Sequence, residues 1–64
     1  MNYYELTRRQ SLRTLADVDA EIDLLKLRWQ MTVDPATRRD CEDKLAVCRR
    51  LRADLQQLEL FAAA

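Results

Sequence analysis

The stretch Trp29-Gln30-Met31-Thr32-Val33-Asp34-Pro35-Ala36-Thr37 stands near the midpoint of the 64-residue chain and decides how it folds. Asp is a preferred N-cap and Pro a preferred first helical residue, so Asp34-Pro35 reads as the start of a helix. Long segments with helical apolar spacing run on both sides, and the chain contains no glycine. A first helix is expected over about residues 3–30, a connection over residues 31–34, and a second helix over about residues 35–61. Each would be about 40 Å long at ~1.5 Å per residue. So short a connection lays the two helices antiparallel, side by side. The expected fold is all-α, an antiparallel helical hairpin of two long helices forming a single domain over residues 1–64.

Outward from the turn, Leu15, Val18, Ile22, Leu25 and Trp29 recur at spacings of three and four, an a/d seam on the first helix. On the second helix Cys41, Leu45, Cys48, Leu51, Leu55, Leu58 and Ala62 form a broader stripe that should meet it. Toward the N-terminus the seam weakens, because Arg8 and Ser11 occupy its continuation and Leu12 lies to one side. Tyr3, Tyr4, Leu6, Leu60 and Phe61 are expected to gather where the two ends meet. Trp29 is expected to cap the core beside the turn.

Ala16, Ala20, Leu24, Leu27 and Met31 also follow helical spacing. At ~100° per residue they fall almost diametrically opposite the Leu15 to Trp29 seam. One partner helix cannot cover both faces. A chain of this size also hides only about 60% of the surface it exposes when unfolded, so association is the expected source of added stability. Two hairpins forming a homodimeric four-helix bundle would bury the strip. A foreign protein docking on the same residues would bury it as well.

Eleven Lys and Arg balance eleven Asp and Glu, so net charge supplies no pull toward nucleic acid or acidic membranes. Asp17, Glu21, Asp19 and Asp23 fall on two flanks of the first helix. Folding about the turn sets Glu21 level with Lys44, and Asp17 level with Arg49 and Arg52. Arg38-Glu42, Arg39-Asp43, Asp40-Lys44 and Arg50-Asp54 have the i,i+4 spacing of helix-supporting pairs. Arg8, Arg9, Arg13, Arg49, Arg50 and Arg52 remain as candidate phosphate contacts, with Tyr3 or Tyr4 available to stack on bases.

The chain has no histidine and no Cys-x-x-Cys pair, so neither a metal centre nor any cofactor is expected. Cys41 and Cys48 share a face but stand ~10.5 Å apart along the helix, too far to bridge, and read as small core-filling thiols. Catalysis lacks its commonest base and any glycine to shape a ligand loop, so the chain is not expected to be an enzyme. No export signal and no run of about 20 apolar residues is present, which points to a cytoplasmic protein with no membrane segment.

In length and hairpin pattern the chain resembles the Rop family of plasmid copy-number proteins, whose dimeric four-helix bundles bind paired RNA loops. It is equally similar to the helical-hairpin cochaperones of type III secretion. No RNA-contact residue carries over from the first resemblance. The end Leu60-Phe61-Ala62-Ala63-Ala64 is similar to apolar, alanine-ended tails that bacterial proteases recognise. The expected function is that of a non-enzymatic protein-protein interaction module, an adaptor, inhibitor or cochaperone. Leu24, Leu27 and Met31 would supply its buried contacts, and Ala16 and Ala20 would allow close helix approach. Its expected partners are a second copy and a further protein. The alternative is a dimeric RNA- or DNA-binding bundle that uses the six arginines.

Overall fold

The structure, a computed structural model, describes residues 2–63; the end of the alanine tail, Ala64, lies outside the described residues. It is all-helical, with α1 over Tyr3–Ser11, α2 over Leu15–Met31 and α3 over Pro35–Ala63. The expected hairpin of two long helices is replaced by three helices, and the turn at Asp34 joins α2 to α3. Asp34 caps α3 as its residue type demands: its carboxylate accepts from the Thr37 backbone N–H at 3.0 Å and from the Thr37 hydroxyl at 2.7 Å. These bonds hold the Asp34 carboxyl below its ordinary range. Arg38 closes the turn by donating from Nε to the Thr32 carbonyl at 2.9 Å.

The single long first helix expected over residues 3–30 is interrupted at residues 12–14. Thr14 is the N-cap of α2 and forms a reciprocal capping box with Asp17. The Thr14 hydroxyl accepts from the Asp17 backbone N–H at 3.1 Å, and the Asp17 carboxylate accepts from the Thr14 backbone N–H at 3.3 Å. A box of this kind satisfies donors that an uninterrupted helix would have used internally, so it makes a new helix start competitive with continuation. Continuation would also have carried Arg8 and Ser11 into the seam. The extended backbone at Leu12 and Thr14 folds α1 back instead.

α1 then runs beside α3 in the same direction. Tyr4 meets Cys48, Glu5 meets Arg50 and Arg9 meets Asp54. Val18, Ile22 and Leu25 of α2 join Leu45, Val47, Cys48 and Leu51 of α3 in the core, with Tyr4, Leu12 and Leu55 packed against them. Each fully buried aliphatic side chain contributes about 1.5–3 kcal/mol. Val47 lies outside the stripe read from the sequence and is buried. It shares with Arg50 and Asp54, at spacings of three and four, the face of α3 that α1 covers.

The fold-back overturns the expected meeting of the chain ends. Tyr4 packs halfway along α3, while Tyr3, Leu60 and Phe61 are exposed. Leu58 and Ala62, expected in the core stripe, are exposed too, since α2 starts at Leu15 and α3 runs on past it. Leu15 is half-buried at that edge. The 29-residue α3 sets the length of the molecule, whose principal extents are 45 × 21 × 15 Å. Among the described residues no helix is long and apolar enough to cross a membrane.

Candidate functional site

α2 carries different chemistry on its two sides. Val18, Ile22 and Leu25 face α3 and are buried. On the outer side Leu24 is 63% exposed, Leu27 53% and Met31 79%. Ala16 and Ala20 extend the same strip and are exposed as well. α1 does not cover these residues, because its interaction partners lie on α3 and on Glu21 of α2. Glu21, Leu24, Leu25, Leu27, Arg28 and Met31 line a shallow surface groove along this side. The strip picked out from the sequence is therefore contiguous, apolar and open.

The six candidate phosphate contacts do not form one free basic surface. Arg9 bonds Glu5 and Asp54, each at 3.0 Å. Arg50 bonds Glu5 at 2.7 Å, and Arg52 bonds Asp19 at 2.8 Å. Arg8 lies 3.5 Å from Glu21 and 5.1 Å above the Tyr4 ring. Only Arg13 and Arg49 make no ion pair among the described residues.

The register of ion pairs also differs from the one expected. Asp17 is taken by the capping box and Glu21 by Arg8, while Arg52 reaches Asp19. Of the four i,i+4 pairs expected on the second helix, Asp40-Lys44 closes at 2.9 Å. Arg38 and Arg50 are drawn to the turn and to α1 instead.

Glu5 is the buried acid that sequence reasoning missed. The hydrogen bond from Arg9, followed by the charge of Arg50, holds its carboxyl below the usual range against the opposing effect of burial. Its i,i+4 relation to Arg9 was visible in the sequence; its pairing with Arg50 needed the fold-back. Tyr4 donates to, or accepts from, the Cys48 thiol at 3.4 Å. Burial, then this bond, pushes the Tyr4 phenol up, and burial pushes the Cys48 thiol up. Cys41 and Cys48 are both free thiols and fully buried.

Trp29 clamps the turn. Its Nε1 donates to Glu42 at 3.2 Å, and the Arg38 guanidinium lies 4.4 Å from the ring centroid. Among the described residues no three His, Cys, Asp or Glu side chains stand close enough to hold a metal ion. No family model matches the chain, and no curated protein or solved structure is significantly similar to it.

Proposed function

We propose that the chain is a small non-enzymatic protein-protein interaction module, an adaptor, inhibitor or cochaperone, that docks through the outer face of α2. The observation that carries this reading is the row Leu24, Leu27 and Met31, more than half exposed on the side of α2 opposite the core. Contiguous apolar surface rimmed by charge marks an association site on a small protein. Ala16 and Ala20 lower the helix surface at one end of the row, which lets another helix come close. Arg28 and Glu21 flank it and orient what binds.

The arrangement of the arginines supports this reading over nucleic-acid binding. Arg8, Arg9, Arg50 and Arg52 direct their charge to carboxylates of the same chain, which weakens the field available to phosphates. Non-enzymatic action is supported by the state of Cys48. Its thiol is buried and shifted away from the thiolate form a nucleophile needs.

Light scattering and a pull-down from cell lysate, run on the chain and on its Leu24→Asp/Leu27→Asp variant, test the proposal. The chain self-associates or retains a protein, and the variant loses that property with its helical circular dichroism intact. A chain that does neither, or a variant that associates unchanged, refutes it.

A further inference from the structure

We infer that the occupant of the outer α2 face is a second copy of this chain, with the two α2 helices antiparallel about a two-fold axis between residues 23 and 24. This rests on the reading of that face as a docking surface and names what docks. Two independent features of the strip carry it. The first is its gradient of size. Small Ala16 and Ala20 lie toward the start of α2, and large Leu27 and Met31 toward its end, all exposed, with Leu24 between. A parallel pair sets alanine on alanine and Met31 on Met31, which draws the helices together at one end and props them apart at the other. An antiparallel pair sets Ala16 against Met31 and Ala20 against Leu27, with the two Leu24 side chains beside the axis. Bulk then meets hollow along the whole strip, as close packing requires.

The second feature is charge. Asp17, Glu21 and Arg28 share one flank of the strip, and Asp23 and Gln30 share the other. An isologous antiparallel pair brings each flank against the same flank of the other copy. Arg28 then lies midway between the levels of Asp17 and Glu21 of the second copy, ~3 Å along the axis from each. The symmetry supplies this contact twice. A parallel pair would face Asp17 and Glu21 with Asp23 and leave Arg28 opposite Gln30. Within these flanks the closest like-charge approach of the antiparallel pair is Asp23 to its own counterpart, and Glu21 keeps Arg8 of its own chain as a second cation at 3.5 Å.

Since the strip lies opposite the side of α2 that faces α3, the assembled helices form a flat row of α3, α2, α2 and α3. This differs from the square bundle that the hairpin pattern suggests. Each α1 stays in its groove against α3.

Disulfide trapping in the full chain tests the inference. The native thiols are fully buried and remain silent. Leu24→Cys chains oxidise to a covalent dimer, and an equimolar mixture of Ala20→Cys and Leu27→Cys chains yields the mixed dimer. Met31→Cys chains do not, since their positions stand ~22 Å apart along the axis. Arg28→Glu weakens self-association about tenfold, as measured by sedimentation equilibrium. Efficient trapping through Met31→Cys without the mixed dimer would mean a parallel pair, which overturns this inference and leaves the docking face standing. A monomer that captures a foreign protein lost on Leu24→Asp/Leu27→Asp also overturns the second copy alone. A monomer that captures none overturns both readings.

Discussion

Glu5 of α1 and Arg50 of α3, 45 residues apart in the chain, meet at 2.7 Å. The same carboxylate takes Arg9 at 3.0 Å, and Arg9 continues to Asp54. This chain of four charges, with the Tyr4-Cys48 contact, is the clasp that holds a nine-residue helix in place. A helix of that length is unstable alone in water, so its order depends on tertiary contacts.

Glu5→Gln should therefore loosen α1 while sparing the α2-α3 hairpin. The folded pKa of Glu5 lies below its ordinary value. Its contribution is thus present above the unfolded pKa, near 4.3, and is lost as pH falls through the folded value. Thermal unfolding followed by circular dichroism should show a drop in Tm between neutral pH and about pH 3. That drop should shrink in the variant. Amide exchange should speed up first in α1.

Thr14→Ala removes the hydroxyl that starts α2. Loss of such a cap costs about 1 kcal/mol, which lowers Tm by about 4–8 °C in a domain of this size. Helical content in residues 12–14 should rise in the variant, read by backbone chemical shifts, because continuation through this segment then competes better.

Leu24 and Leu25 are adjacent and opposite in role. Leu25→Ala opens a cavity in the core and should cost about 2–5 kcal/mol, enough to unfold much of so small a protein. Leu24→Ala should leave the stability of the dilute chain within about 0.5 kcal/mol. Its effect should appear in association, measured by sedimentation.

Cys48 is shielded by α1 through Tyr4, whereas Cys41 lies outside that contact. Both thiols should resist a water-soluble disulfide reagent in the native state and react promptly in guanidinium. Tyr4→Ala should speed labelling of Cys48 selectively, as peptide mapping of the modified chain would show. Equal acceleration at both sites would indicate general unfolding instead.

The helical class and the turn at Asp34 were legible because their determinants are local or periodic. Asp34, Pro35 and Thr37 cap the second helix within one turn, and Val18, Ile22 and Leu25 repeat at the helical period. The open strip from Ala16 to Met31 was legible for the same reason: two apolar faces on one helix exceed what one neighbour can bury.

The break in the first helix left a signal that reads two ways. Thr14-Leu15-Ala16-Asp17 has capping-box spacing, but every residue in it also tolerates a helix interior. The polar seam at Arg8 and Ser11 marked the same place without saying whether the helix frays or turns back.

By itself the amino-acid sequence determined the helical class, the turn at Asp34 and the two-faced character of α2, since helix periodicity and caps act within a few residues of where they are written. Tertiary structure alone decided that α1 reverses, that Val47 and Glu5 are buried, and which carboxylate each arginine takes. Those outcomes depend on residues far apart in the chain, up to 45 positions, competing for the same partners. The long, flexible side chains of arginine leave such a choice open until the backbones around them are in place.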